Sequence, residues 1–266
     1  MRLRRIIPAL FLFVSAQAHA GAWTMPKGEG LFIGQATYFT SQHFYDLDGE
    51  RIDQPTYRKF ELQPYAEYGV RDWLTVGGSA YVHRVDQSSH YNAGVGDPEL
   101  WARLRLKQFD DGAVLSVQPL IKLPSYYVDD DTPRGGSRST DLELSILYGR
   151  NWELFGITGY SDTRVGYRIR SRGLNKQYRI DQAWGVNVTE HFMLIPAFRA
   201  VLASAYDENA IFAQDGEQDY DLAKIELTAL YKFEDNRWVH ATMFDHVAGA
   251  FTGDGRGFMV GFAEPF

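Results

Sequence analysis

The chain has 266 residues, a formal charge of −7 and no cysteine. The acidic balance repels phosphate backbones and argues against nucleic acid as a partner. The missing thiols exclude disulfides, thiolate chemistry and Cys-ligated metal.

The first element is MRLRRIIPALFLFVSAQAHA. Arg2, Arg4 and Arg5 precede an apolar stretch from Ile6 to Val14, and Ala18-His19-Ala20 forms a small-x-small site before Gly21. This is the pattern of a Sec-type signal peptide, too short for a spanning helix. Residues 1–20 are expected to be removed after Ala20, leaving 21–266 as a single domain; an uncleaved N-terminal anchor is the alternative. Three arginines leave with the leader, taking the charge from −7 to −10.

Beyond the leader, no apolar run approaches the roughly 20 residues of a membrane-crossing helix, although 45% of residues are hydrophobic and 15% aromatic. Period-two alternation predicts about twelve strands instead, in chain order 29–41, 59–70, 73–86, 98–107, 113–124, 140–149, 163–170, 176–188, 192–205, 219–233, 237–249 and 256–266. In KFELQPYAEYGV, Phe60, Leu62, Pro64, Ala66, Tyr68 and Val70 alternate with Lys59, Glu61, Gln63, Tyr65, Glu67 and Gly69. PELWARLRLK sets Leu100, Ala102, Leu104 and Leu106 against Glu99, Trp101, Arg103, Arg105 and Lys107. TDLELSILYG sets Leu142, Leu144, Ile146 and Tyr148 against Asp141, Glu143 and Ser145, and TRVGYRIR sets Val165, Tyr167 and Ile169 against Arg164, Arg168 and Arg170. The first and eleventh segments have no clear face assignment.

Short connections (GVRDWL, KQFDDGA, GRNWEL, VTEHFM, FEDNRW) alternate with longer ones, including SQHFYDLDGERIDQ, SYYVDDDTPRGGSRS, YDENAIFAQDGEQ and AGAFTGDGRG. That rhythm, long strands and an even count predict an all-β fold: a transmembrane up-and-down antiparallel β-barrel. Unpaired strand edges are untenable in hydrocarbon, so 29–41 must pair with 256–266. Trp73, Trp152 and Trp238 fall at short turns, where rings favour the membrane interface. A secreted soluble β-sandwich is the competing architecture.

GVGDPELWARLRL, with Gly94, Gly96, Asp97, Leu100, Arg103, Arg105 and Leu106, resembles the signature of the meta-pathway phenol-degradation outer-membrane family. LIKLPSYY, with Lys122, Leu123 and Pro124, and TDLELSILYGRNW resemble its next two strands, and AWTMPKGEGLFIG resembles the Pro-x-Gly-x-Gly lead-in of related barrels. Where that family has Gly two positions after Pro124, this chain has Tyr126. The resemblance implies a porin-like outer-membrane barrel connected with uptake of aromatic compounds, and supplies no catalytic residues. Barrels that accompany exopolysaccharide synthesis are similar in outline.

With the apolar faces on lipid, the opposite faces line the lumen. Lys59, Glu61, Arg103, Arg105, Lys122, Glu143, Arg164, Arg168, Arg199 and Glu226 are the candidate lining. They would form a selectivity lining that attracts anions, or a salt-bridged interior that holds the barrel rigid. Eight-stranded barrels are filled and 16–18-stranded ones open, so about twelve predicts a narrow pore. The expected function is a narrow channel or binding protein for a small, aromatic or anionic solute, working passively. A structural or polysaccharide-export accessory barrel and a barrel enzyme are the alternatives.

No cofactor, metal or catalytic group is expected. Asp129, Asp130 and Asp131 lack the ligand spacing of a calcium loop. Asp245 and His246 are adjacent, so a strand would point them to opposite faces. The chain ends in FMVGFAEPF, where Phe258, Val260, Phe262 and Phe266 resemble the C-terminal signal read by the barrel-assembly machinery. Outer-membrane lipid, that machinery and a small solute or exported polysaccharide are the expected partners.

Overall fold

The computed structural model describes residues 21–88, 90–125, 139–206 and 219–266. The leader, the Asp129–Asp131 tip and most of YDENAIFAQDGEQ lie outside the described residues.

Fourteen strand segments make twelve staves of one antiparallel sheet. They are β1 Gly30–Tyr45, β2 Arg51–Arg71, β3 Leu74–Ser79, β4 Val82–Gln87, β5 His90–Val95, β6 Glu99–Gln108 and β7 Val114–Lys122. The chain continues with β8 Asp141–Leu154, β9 Ile157–Arg170, β10 Gln177–Asn187, β11 Phe192–Ala203, β12 Asp221–Lys232, β13 Trp238–Ala250 and β14 Thr252–Pro265. β3 and β4 together form one stave beside β2, and β5 and β6 form the next. β1 pairs with both β2 and β14, closing the barrel, with Leu31 opposite Pro265 and Tyr45 opposite Thr252. The seam runs to the last residue: Gly30 N donates to Phe266 O at 2.7 Å and Phe266 N donates to Gly30 O at 2.9 Å. The closing edge is thereby paired along its length, apart from a bulge between Ser41 and His43, rather than left open to hydrocarbon.

The two broken staves follow from proline. Pro64 in β2 has no N–H to offer the ladder, and opposite it the chain leaves strand geometry at Ala80–Tyr81; one bond, Ala80 N to Pro64 O at 3.1 Å, survives there. The next break falls at Gly96-Asp97-Pro98. There Asp97 accepts from Ser125 N at 3.0 Å and lies 3.5 Å from Lys122 Nζ, tying the bend to the end of β7. The Gly-Asp pair of the signature is thus a structural clamp between neighbouring staves.

Alternation sorts the faces as the sequence predicts in β2, β8 and β9. Leu142, Leu144 and Ile146 are each more than half exposed on the outer face, while Asp141, Glu143 and Ser145 are buried inside. The outer face is a continuous apolar band suited to lipid. The two ambiguous strands resolve: Leu31 and Ile33 of β1 and Trp238, His240, Thr242 and Phe244 of β13 point inward.

Three expectations are corrected. SQHFYDLDGERIDQ is no long loop, because β1 and β2 continue their ladder to Tyr45–Arg51 around a tight turn. AGAFTGDGRG is likewise ladder, with Phe251 alone between β13 and β14. Trp238 is 5% exposed in the barrel interior, not at the interface; its position inside β13 puts it on the inward half of the alternation.

Candidate functional site

The lumen has two levels. At the end bearing the short turns, which is the periplasmic end in this architecture, it is filled. Leu31, Ile33, Tyr65, Trp101, Leu120, Tyr160, Ile195, Leu230 and Trp238 form an apolar core inside the barrel, joined by Met25. Residues 21–29 run up from the rim into this core and plug it. Lys27 N donates to Asp72 Oδ1 at 2.9 Å and Thr24 Oγ1 to Asp72 O at 2.6 Å at the rim. Deeper, Met25 N donates to Thr75 Oγ1 at 2.7 Å, and Trp23 meets Tyr160 edge-on. Gly149 lies flat under the Trp23 ring, where any Cβ would collide with it.

Above the core lies a polar cavity of about 310 Å³. One wall, from β9 to β12, carries Arg164, Arg168, Arg179, Arg199 and Lys224 against Asp181 and Glu226, with Glu99 beyond. The rest of the lining is neutral: Gln35, Gln63, Tyr81, Thr228, His240, Thr242 and Met259. Glu143 is the hub behind the charged wall. It accepts from Arg164, from Arg168 Nε at 2.7 Å and from Ser145 Oγ at 2.7 Å, and Arg179 Nη1 lies 3.7 Å away. Arg168 also reaches Glu99 at 3.1 Å and Asp141 at 3.5 Å, and Lys122 pairs with Asp141 at 3.0 Å. Arg199 bridges Glu226 at 2.9 Å and Asp181 at 3.5 Å, and Lys224 reaches Glu226 at 2.8 Å.

Toward the loop end the inner face turns aromatic. Phe39 stacks parallel to Phe244 at 6.1 Å and lies 4.9 Å from the His246 ring, with Tyr57 edge-on at 6.1 Å. Lys224 Nζ sits over the Phe244 ring at 5.1 Å, joining this shelf to the cationic wall.

Of the ten lining residues read from the sequence, Glu143, Arg164, Arg168, Arg199 and Glu226 come together in one network. Lys122 joins it through Asp141. Lys59 and Glu61 pair with each other on β2 at 2.6 Å. Arg103 is buried lower down, donating to Gln118 at 3.1 Å and to the plug's Trp23 carbonyl at 2.9 Å, with Glu67 at 3.5 Å. Arg105 is half-buried near the periplasmic end, outside the network. A bulge between Arg105 and Lys107 turns Lys107 outward against Phe109, against the simple alternation. Asp245 is exposed while His246 faces inward with Nδ1 2.8 Å from Gly253 O, so the two point apart as expected.

The plug and the aromatic shelf escaped the sequence reading. One signal was present for the plug: Ala22, Trp23 and Met25 are apolar and precede the first strand, so they have no ladder to join.

No protein-family model matches the sequence, and no curated protein matches it significantly. Solved structures do match in shape. An outer-membrane channel from Pseudomonas putida F1 superposes with a TM-score of 0.71 at 16% identity, covering 92% of this chain and 98% of that one. The chain has the fold of an outer-membrane β-barrel. The NanC porin matches at a TM-score of 0.53 with 8% identity over 87% of this chain and 98% of its own. The translocator domain of the autotransporter NalP from Neisseria meningitidis gives 0.52 with 13% identity, covering 89% and 88%.

Proposed function

We propose that this barrel takes up a small anion bearing an aromatic ring, by passive diffusion through a lumen gated at its periplasmic end. The observation that carries this reading is the cavity wall, where five cations face three carboxylates in a chain whose overall charge is negative. Such a wall concentrates anions against the protein's own field, and its low-dielectric surroundings strengthen the attraction. The shelf of Phe39, Tyr57 and Phe244 beside Lys224 offers a face for a ring while the carboxylate reaches Arg199 and Arg179. The porin and channel neighbours support the channel part of the reading. The filled periplasmic end favours a second reading, an accessory barrel in polysaccharide export whose loops recruit partners.

The same proposal includes removal of residues 1–20, a single domain from Gly21, and recognition of Phe258, Val260, Phe262 and Phe266 by the barrel-assembly machinery. The first three of these aromatic and apolar side chains project from the outer face of β14.

Planar-bilayer recording tests the solute. Benzoate is expected to block the chloride current more strongly than acetate or benzyl alcohol, and Arg199→Gln to weaken that block. Equal effects of all three solutes overturn the aromatic-anion reading. Silence of both the wild type and a chain lacking residues 21–28 overturns the channel.

A further inference from the structure

The top of the plug ends at a buried carboxylate. Asp162, on the inner face of β9, is 0% exposed. Its Oδ2 accepts from Ala22 N at 2.8 Å, and its Oδ1 has no hydrogen-bond partner among the described residues. Arg103, close by, is committed to Gln118, Glu67 and the Trp23 carbonyl. Ser116 Oγ donates to Ala22 O at 2.6 Å, so the peptide on the far side of Ala22 is fixed as well. Gly21 itself is buried, and its Cα is one step of about 3.8 Å from that of Ala22. A buried carboxylate with one oxygen unsatisfied and no cation is costly, which makes the site incomplete as it stands.

We propose that Asp162 is the receptor for the mature amino terminus: the α-ammonium of Gly21, created by cleavage after Ala20, pairs with Asp162 and locks the plug in the lumen. The inference rests on the leader reading and is independent of which solute passes. It follows that export processing supplies the group that locks the plug. A precursor has a neutral amide at Gly21 and twenty further residues, among them three arginines, that would have to thread the same narrow interior. Cleavage removes that obstruction and supplies the missing charge at the same atom. The α-ammonium is protonated at neutral pH in a free peptide, and a carboxylate neighbour favours that form further.

The test uses full-length protein purified from outer membranes. Intact mass and N-terminal sequencing establish where the mature chain starts. An amine-reactive acyl ester at neutral pH then reports access to the α-amine by peptide mass, with the exposed Lys27 as internal standard. The folded wild type is expected to label at Gly21 at least about tenfold more slowly than the unfolded chain, the change that about 1.4 kcal/mol produces. Asp162→Asn keeps an acceptor for Ala22 N but loses the charge, and should restore labelling and raise the open fraction of single channels. Two glycines inserted between Ala20 and Gly21 should do the same with Asp162 intact.

A mature start elsewhere than Gly21 overturns both the leader reading and this proposal. A Gly21 start whose amine labels freely in the folded wild type overturns the proposal alone, as does a folded Asp162→Asn protein that labels and gates like wild type. Should Asp162→Asn fail to assemble, the wild-type labelling ratio and the glycine insertion still decide.

Discussion

Replacing Glu143 by Gln perturbs the charged wall at the point where its geometry is most explicit. The Glu143 side chain is 0% exposed and is shared by Arg164, Arg168 and Arg179. Removing one partner of a buried ion pair costs about 3–5 kcal/mol, because the remaining charge stays desolvated. Here two of the three guanidinium groups keep other acids: Asp181 at 3.7 Å from Arg164, and Glu99 and Asp141 at 3.1 and 3.5 Å from Arg168. Gln also retains one acceptor oxygen. The expected loss is therefore the lower end of that range, about 3 kcal/mol. It is read as a lower midpoint in guanidinium unfolding, followed by tryptophan fluorescence in detergent. The same substitution removes one negative charge from behind the cavity, so the bilayer reversal potential should move toward stronger anion preference. Destabilisation below about 0.5 kcal/mol, the size of an ordinary surface substitution, together with unchanged selectivity, would refute the hub.

Leu144→Arg places a charge on the lipid face of β8, where Leu144 is more than half exposed, and should destabilise the inserted barrel by about 2–4 kcal/mol. The check is unfolding from lipid vesicles, and an effect that vanishes there would put this face in water rather than lipid. Deleting Phe266 removes both backbone bonds to Gly30 at the seam and the terminal ring, and should leave little heat-modifiable barrel in outer-membrane fractions. Normal insertion of that truncation would dismiss the terminal residue as an assembly signal.

The barrel was legible because its dominant physical constraint has period two. Lipid on one side and a charged lumen on the other force Leu142, Leu144 and Ile146 apart from Asp141, Glu143 and Ser145, and the ladder repeats that choice. The pattern fails where the inner face is itself apolar. Leu31, Ile33 and Trp238 line a filled core, so β1 and β13 carry apolar residues on both faces and their orientation cannot be read from alternation. The extent of the β1–β2 ladder was hidden for another reason. Beyond the membrane both faces meet water, so polar residues such as His43 and Asp53 continue a strand that looks like a loop. Of the site, the individual charges were visible but their grouping was not. Which arginine meets Glu143 depends on the register of β8 against β9, with Glu143 opposite Arg168. Arg179 comes from β10, one stave further round. The plug was invisible because a short apolar stretch before a strand resembles a lead-in, and only the closed geometry turns it inward.

The reversal potential of the wild-type channel across a KCl gradient tests the central claim most directly, that this outer-membrane barrel has a lumen built to admit anions. Five cations against three carboxylates in the cavity predict a potential on the chloride side of zero, shifting toward zero in Arg179→Gln and Arg199→Gln. A cation-selective wild-type channel, following the negative charge of the chain as a whole, would contradict it.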